Sequence, residues 1–179
     1  MTYVALLRGI NVGGRNIITM DRLKACFDRN GFEQAATFIQ SGNVVFGSGV
    51  RSGRAIENAI ESALSTTFNY PAAVIVRSLP ELRRTLTAAP SGWKTRTDLR
   101  CNIAFTKAPV TPAQAVAAID ARPGVDFVTR GPGAVYMATL LRDVKKSGLT
   151  KLVTREVYRS LTIRNYNTCQ RLLALMEAR

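Results

Sequence analysis

The sequence predicts an α+β protein made of two similar halves. Short apolar runs, which are typical of buried strands, alternate with segments whose apolar residues recur every three or four positions, as on one face of a helix. In the first half the elements follow the order β-α-β-β-α-β, which is the split βαβ pattern of a ferredoxin-like unit. A second run of similar order follows. We therefore predict two tandem ferredoxin-like units, residues 1–78 and 79–179, the second with extra C-terminal helices.

Local signals place each element of the first half. Thr19 is a suitable N-cap for the first helix, and Gly31 stands where a left-handed residue commonly ends a helix. The tripeptide Ser41-Gly42-Asn43 predicts a tight hairpin turn between two strands. The predicted elements are strand Tyr3–Leu7, a helix with Met20, Leu23 and Phe27 on its apolar face, strands Ala36–Gln40 and Val44–Phe46, a helix with Ile56, Ile60 and Leu64, and strand Ala72–Val76.

The second half shows the same kinds of signal. Ser78 and Glu81 form a capping-box pattern at one helix start, and Thr111 and Gln114 form another. A glycine-proline-glycine turn at 131–133 joins two strands. The predicted elements are a helix with Leu79, Leu82 and Leu86, a connection at 89–97, strand Cys101–Phe105, a helix with Val116 and Ile119, strands Val125–Thr129 and Val135–Leu140, and helices Leu149–Leu161 and Asn167–Ala178.

The absence of histidine excludes several kinds of site. With 0 histidines in 179 residues, the chain has no imidazole base, no Ser-His-Asp or Cys-His pair, and no imidazole metal ligand. The three cysteines are widely spaced and form no CxxC pair, so zinc and iron–sulfur sites have no support either. We therefore expect no metal and no cofactor.

Cysteine usage and hydropathy indicate a cytoplasmic protein. Cys26, Cys101 and Cys169 each lie in an apolar pattern, so we interpret them as core residues of a protein in a reducing compartment. No segment is long and apolar enough to span a membrane, and the first strand begins too early to leave room for a signal peptide. We expect no membrane partner.

The chain is strongly basic, and the excess lies mainly in its second half. Lys+Arg number 25 and Asp+Glu number 12, which gives a net charge of +13. Residues 1–78 carry 8 basic and 5 acidic side chains, whereas residues 79–179 carry 17 and 7. Such an excess favours nucleotide, nucleic-acid or phosphate partners. The alternative is composition alone, since a GC-rich genome also produces arginine-rich and alanine-rich proteins.

The segment between the first strand and the first helix carries the strongest functional signal. It reads LLRGINVGGRN over Leu6–Asn16 and combines glycines with two arginines and two asparagines. Backbone amides and guanidinium groups in such a loop can bind an anion. The equivalent connection in the second half is a short proline-bearing link, and a loop longer than the scaffold needs is commonly functional. The loop has neither the GK[ST] ending of a Walker motif nor the G-x-G-x-x-G spacing of a dinucleotide site.

Topology predicts that the hairpin turn lies beside this loop. In a split βαβ unit the first two strands run parallel with the third antiparallel between them, so the end of strand one and the turn emerge at the same edge. The first helix starts there too and adds its partial positive charge. A third segment, Thr162–Thr168, holds more polar side chains than capping of the last helix requires. We interpret the three segments as one anion pocket; the alternative is that they only turn the chain and cap a helix.

These three segments resemble those of a known family. The opening ALLRGINVGG, the QSGNVVF at Gln40–Phe46 and the late arginine-asparagine-aromatic-asparagine-threonine stretch together resemble the uncharacterised bacterial domain-of-unknown-function 1697 family. The resemblance covers essentially the whole chain and implies a small two-part α+β protein with ferredoxin-like halves and no established activity. Family members commonly have tryptophan where this chain has Tyr166, and their Ser-Lys-Leu helix start corresponds to residues 150–152.

The leading hypothesis is that the protein binds an anionic ligand, such as a nucleotide, a nucleic-acid phosphate or a phosphorylated metabolite. Arginines would pair with the phosphate, glycines would admit close backbone approach, and asparagines would supply donors. One alternative is a histidine-free enzyme with Ser41 or Thr168 as nucleophile and Lys151 as base, and another is a protein-interaction module with a basic surface. The ligand, any catalysis and the oligomeric state stay open. The predicted binding residues are Arg8, Asn11, Gly13, Gly14, Arg15, Ser41, Gly42, Asn43, Arg164, Asn165, Asn167 and Thr168.

Overall fold

The structure, a computed structural model, describes residues 1–11, 17–40, 42–69 and 71–179. The chain forms two units, one of Met1–Leu82 with Arg171–Arg179 and the other of Arg83–Gln170. Each contains a four-stranded antiparallel sheet with helical segments, so the fold is α+β with two ferredoxin-like units, as predicted. Among the described residues, no helix combines the length and the apolar character that crossing a bilayer requires.

The first unit contains the six predicted elements in the predicted order. They are β1 (Thr2–Arg8), α1 (Met20–Arg29), β2 (Glu33–Phe38), β3 (Asn43–Gly47), α2 (Gly53–Phe68) and β4 (Ala73–Ser78). The strand order is β2-β3-β1-β4, and each neighbouring pair is antiparallel. β3 therefore lies between β1 and β2, which run parallel to each other, as the split βαβ pattern requires.

Helix α1 begins and ends at the predicted residues because both ends have suitable chemistry. The hydroxyl of Thr19 accepts a hydrogen bond from the backbone amide of Arg22. Gly31 follows the helix with a φ of +78°, which residues with a Cβ rarely adopt. On the buried face, the ring of Phe27 lies 5.5 Å from that of Phe46 on β3 in an edge-to-face arrangement. This packing holds the last turn of the helix against the sheet.

The second unit repeats the strand order of the first. The elements that follow β4 are α3 (Leu79–Thr87), β5 (Leu99–Thr106), α4 (Pro112–Ala117), β6 (Asp126–Gly131), β7 (Ala134–Leu140), β8 (Leu161–Asn165) and α5 (Tyr166–Glu177). The order of the second sheet is β6-β7-β5-β8, so β5 to β8 take the places that β1 to β4 take in the first sheet. The predicted capping box at Thr111 is present, and at Ser78 the carboxylate of Glu81 reaches back to accept from the backbone amide and the hydroxyl of Ser78.

Two sequence predictions after β7 were wrong. The segment predicted as one α-helix, Leu149–Leu161, is rich in threonine and valine, and these β-branched residues disfavour an α-helix. The structure has three short 3₁₀ helices between β7 and β8, at Leu141–Lys146, Leu149–Thr154 and Glu156–Ser160. The first part of Thr162–Thr168, which we placed directly before the last helix as a segment of the anion pocket and not as a strand, belongs to strand β8 and pairs with β5.

A buried carboxylate holds the 3₁₀ region against the second sheet. Asp126, the first residue of β6, is 7% exposed. One of its oxygens accepts hydrogen bonds from the hydroxyls of Thr139 and Ser147 at 2.8 and 2.6 Å. The other accepts from the backbone amides of Arg122 and Gly148 at 2.9 and 2.8 Å. A Cβ on Gly148 would lie 1.8 Å from a backbone carbonyl oxygen, so only glycine fits there.

All three cysteines are buried, as predicted. Cys26 lies on the buried face of α1, 3.5 Å from the hydroxyl of Thr67. Burial raises the pKa of Cys101, and it raises the pKa of Cys169 to about 12. These two thiols are therefore protonated at neutral pH and behave as small apolar core residues.

Candidate functional site

Asn11 ties the two ends of the glycine-rich loop together. Its side-chain amide donates to the carbonyl of Ile18 at 2.9 Å, and its side-chain oxygen accepts from the backbone amide of the same residue at 2.8 Å. The amide also donates, at 3.0 Å, to the carbonyl of Gln40, which follows β2. Asn11 has a φ of +53°, a conformation that asparagine tolerates better than most residues. The base of the loop is thereby closed and joined to the hairpin.

The hairpin turn packs directly on the start of the loop. The carbonyl of Gly42 accepts a hydrogen bond from the backbone amide of Leu7 at 2.8 Å. A Cβ at Gly42 would lie 2.7 Å from Cδ1 of Ile10 and 2.9 Å from Cβ of Leu7, and its φ is +73°. Glycine is therefore required both by the backbone conformation and by the contact. The described end of the loop and the turn lie together, as the topology predicted.

A cavity of about 510 Å³ opens at this junction. Because Thr19 and Met20 belong to its wall, the positive end of the α1 dipole contributes to the electrostatics of the space. Ile17 is 71% exposed, whereas Ile18 beside it is buried. The cavity is lined by both ends of the loop, the start of α1 and the end of the first hairpin strand, through Asn11, Ile17, Ile18, Thr19, Met20 and Gln40.

The other predicted residues of the first unit take different positions. Arg8 ends β1 and is half-buried. Asn43, which we predicted as a donor to the ligand, is the first residue of β3 and is 0% exposed. Its side-chain amide donates to the carbonyl of Phe38 at 3.0 Å, so it stabilises the hairpin from inside. The predictions for Gly13, Gly14, Arg15 and Ser41 fall outside the described residues.

In the second unit, Asn165 caps helix α5. Its side-chain oxygen accepts a hydrogen bond from the backbone amide of Asn167 at 2.9 Å. Its side-chain amide donates to the carbonyl of Cys101 on β5 at 3.2 Å. Among the three candidate N-caps, Asn165 therefore takes this role. Asn167 and Thr168 lie in the first turn of the helix, where Asn167 is exposed and Thr168 is half-buried.

A polar cavity of about 300 Å³ lies beside this helix start. Arg96 in its wall binds the carboxylate of Asp98 through two hydrogen bonds, at 2.9 and 2.6 Å, whereas Lys94 is exposed. From the sequence, residues 89–97 were predicted only as a connection. The single tryptophan and the two basic residues of this segment were the signal that could have indicated a site there. The residues that line the cavity include Trp93, Lys94, Arg96, Asn165, Tyr166 and Asn167.

Arg164 does not line this cavity and takes an interior position on β8. It is 9% exposed, and its guanidinium donates to the carbonyl of Ile163 at 3.0 Å. Burial lowers its pKa to about 10, so the group stays protonated at neutral pH. Arg77, at the matching place on β4, donates to the carbonyl of Val76 at 2.8 Å, and burial lowers its pKa as well. This recurrence favours a structural role for Arg164.

The predicted residues thus fall into two groups, one in each unit. Asn11 and Gly42 lie near each other in the first unit, and Asn165 and Asn167 do so in the second. That both groups contact one ligand stays a prediction. Lys151, the base of the enzyme hypothesis, forms an ion pair with Asp120 at 3.1 Å, which engages its ammonium group.

Comparisons with known proteins place the chain in a family. It is similar to the conserved bacterial protein SP0830 from Streptococcus pneumoniae, with a TM-score of 0.86, 24% sequence identity and coverage of 98% of both chains. At this identity the likeness shows the fold alone. No curated protein matches the sequence. The model of a protein family of unknown function, DUF1697, matches residues 1–136, and the chain therefore belongs to the DUF1697 family.

Proposed function

We propose that the protein binds a phosphate-bearing small molecule at the cavity between the glycine-rich loop and helix α1. The observation that carries this proposal is the joint wall of the cavity, to which both loop ends, the helix start and the hairpin contribute. These are segments whose sequence already indicated anion binding. Asn11 supports the proposal because its side chain holds Ile18 and itself together by two hydrogen bonds, and so fixes two residues of the cavity wall relative to each other.

The electrostatics around the cavity favour an anion. The chain carries a net charge of +13, of which residues 1–78 contribute 8 − 5 = +3, and this positive charge raises the local concentration of anions near the protein. The start of α1 adds a partial positive charge within the wall. In the proposed complex, Arg8 and Arg15 pair with the phosphate, and Gly13 and Gly14 let backbone amides approach it.

The size of the cavity favours a small molecule over nucleic acid. A volume of about 510 Å³ falls within the range typical of small-molecule sites. A nucleic-acid complex would release roughly one counterion for each neutralised phosphate, so its affinity would fall steeply as salt rises. A ligand with one phosphate should show only a shallow dependence. Titrations at several salt concentrations separate the two partners.

The direct test is calorimetric titration of the protein and its variants with inorganic phosphate and phenyl phosphate. Arg8→Ala and Arg15→Ala should bind about ten- to a hundredfold more weakly, because a charge-assisted hydrogen bond contributes roughly 1.5–3 kcal/mol. Arg54→Ala is the matched control, since Arg54 is an exposed arginine of the same unit that lies on helix α2, outside the glycine-rich loop and the hairpin turn. It should bind as the wild type does.

The remaining outcomes of these titrations each decide a different part of the proposal. Absence of binding by the wild type overturns it, and equal weakening in Arg54→Ala would assign the effect to net charge. A large fall in melting temperature in either loop variant would make that arginine structural. Asn167→Ala tests the second group of residues: weaker binding at a stoichiometry of one ligand supports a shared site, and unchanged binding removes that group from the proposal.

A further inference from the structure

We infer that the ligand carries an apolar body next to its anionic group, and that this body occupies the cavity at the base of the loop. The inference rests on the proposed function and specifies the class of ligand: an aromatic or aliphatic phosphate ester, in contrast to free phosphate or a sugar phosphate. Three properties of the cavity support the inference: its apolar wall, the hydrogen bonds of its polar side chains and its volume.

The wall of the cavity is mostly apolar. Ile17 and Ile18 contribute two aliphatic side chains to it, and Met20 contributes a thioether side chain. Ile17 is 71% exposed, a high value for an isoleucine flanked by a buried one. Covering such carbon surface with an apolar group releases water and is favourable by roughly 25 cal/mol per Å². An apolar ligand body would supply that cover.

Two polar side chains of the wall, those of Asn11 and Thr19, form hydrogen bonds within the protein. The side chain of Asn11 donates to two carbonyls, those of Ile18 and Gln40, and accepts from the amide of Ile18. The hydroxyl of Thr19 accepts from the amide of Arg22. A ligand body rich in hydroxyl groups would leave many of its own donors without partners here, and that carries a free-energy cost. The wall therefore selects against a sugar and favours a ring or an alkyl chain.

The volume of the cavity also suits the apolar body of a small molecule better than a single side chain inserted by a partner protein. About 510 Å³ holds a whole small molecule, and sites of this size typically enclose most of a ligand. The basic charge of the chain then selects, among apolar small molecules, those that also carry an anion. A phosphate monoester of a ring satisfies both requirements.

The experiment compares four probes on the intact protein by calorimetry or ligand-observed NMR. Inorganic phosphate presents the anion alone, glycerol phosphate presents an anion with a polar body, phenyl phosphate presents an anion with an apolar body, and benzyl alcohol presents the apolar body alone. We expect phenyl phosphate to bind at least about tenfold more tightly than glycerol phosphate, a difference of about 1.4 kcal/mol that burial of a small part of a ring suffices to produce.

Variants of the wall locate the effect. Ile17→Ser should remove most of the preference for phenyl phosphate over glycerol phosphate. Ile17→Trp should fill part of the cavity and weaken phenyl phosphate selectively. Val50→Ser is the matched control, because Val50 is an aliphatic residue of the same unit, 50% exposed, that does not line the cavity. Melting curves check that each variant is folded, which the exposure of Ile17 makes the expected result.

The outcomes distinguish failure of this inference from failure of the proposed function. Equal affinities for phenyl, glycerol and inorganic phosphate would overturn the apolar body and leave phosphate binding in place. A preference for phenyl phosphate that Ile17→Ser and Val50→Ser change equally would overturn the location. If neither inorganic phosphate nor any ester binds, both the proposed function and this inference are wrong, whether or not benzyl alcohol binds.

Discussion

The carboxylate of Glu61 on α2 accepts a hydrogen bond from the backbone amide of Val74 on β4 at 2.7 Å. One helical turn earlier, Glu57 accepts from the amide of Val76 at 2.9 Å. β4 is an edge strand of the first sheet, and in an antiparallel ladder every second residue turns its backbone groups away from the neighbouring strand. The two glutamates therefore accept hydrogen bonds from backbone amides that would otherwise be available for pairing with a strand of another chain.

The double variant Glu57→Ala/Glu61→Ala should be less stable and more prone to associate than the wild type. Each substitution removes a hydrogen bond to a charged acceptor, worth roughly 1.5–3 kcal/mol. Urea unfolding measures the loss of stability, and light scattering against protein concentration measures association. The Gln double variant is the control, because a side-chain amide oxygen can still accept from each backbone amide. If the Ala and Gln variants behave alike, the carboxylates do not protect the edge through these bonds.

Asp126 should make the stability of the second unit depend on pH in the acid range. Burial raises the pKa of its carboxyl, but the bonds from Ser147, the Arg122 amide, Thr139 and the Gly148 amide outweigh that effect and hold the pKa below its usual value. A depressed folded pKa means that the contribution to stability is complete above the unfolded pKa, about 3.9, and is lost as pH falls through the folded pKa. Thermal unfolding at pH 7 and pH 3 measures the difference.

The Asn variant of Asp126 should retain most of the stability at neutral pH and lose the acid sensitivity. One carboxylate oxygen accepts only from the Thr139 and Ser147 hydroxyls, which can rotate to accept from an Asn amide. The other oxygen accepts only from two backbone amides, and the Asn oxygen can do the same. Asp126→Ala leaves buried donors unsatisfied and should cost on the order of 3 kcal/mol. Equal losses in both variants would contradict this account.

Local sequence signals predicted most of the fold because helix caps and buried faces depend on residues that are close together in the sequence. Thr19, Gly31 and Thr111 cap or end the helices that their positions predicted. The period of Ile56, Ile60 and Leu64 matches the buried face of α2. The 3₁₀ helices and strand β8 were not predictable in this way, because Asp126 holds Ser147 and Gly148 from a distant part of the sequence, and β8 is held by its pairing with β5.

The candidate site was predictable only in part, for a related reason. The sequence indicated that the loop of Leu6–Asn16 and the hairpin turn converge, because strand direction alone determines it. It did not indicate that Asn11 bonds with Gln40 or that Asn43 is buried, since each depends on where a side chain points after the sheet has formed. The sequence therefore did not distinguish polar turn residues that face solvent from those that stabilise the turn.

Gly42→Ala should destabilise the first unit by more than a typical surface substitution. Alanine at a φ of +73° costs about 1–2 kcal/mol, and its Cβ would also meet the side chain of Ile10 at 2.7 Å. Ile10→Ala removes that contact but leaves the backbone strain, so the double variant should lose less stability than the sum of the two single variants. Chemical unfolding of the four proteins measures the coupling. Strict additivity would show that the contact with Ile10 does not matter.

Asn11→Ala should weaken phosphate binding although Asn11 has no assigned contact with the phosphate. Removal of its side chain deletes two hydrogen bonds with Ile18 and one with Gln40, so the ends of the loop are no longer held together. Hydrogen exchange of the Ile18 amide should accelerate, because that amide loses its acceptor. Asn30→Ala is the control, since Asn30 binds the carbonyl of Cys26 at the other end of α1.

The Asp variant of Asn11 separates closure of the loop from the bond to the Ile18 amide. Asp keeps an oxygen that accepts from this amide, but its second oxygen would face the carbonyls of Ile18 and Gln40, which now lie 2.9 and 3.0 Å from the Asn11 amide nitrogen. We expect the amide of Ile18 to stay protected from exchange while the loop base opens and phosphate binding weakens, by repulsion between like partial charges. If Asn11→Asp and Asn11→Ala both bind phosphate as tightly as Asn30→Ala does, the closed base is not needed for the site.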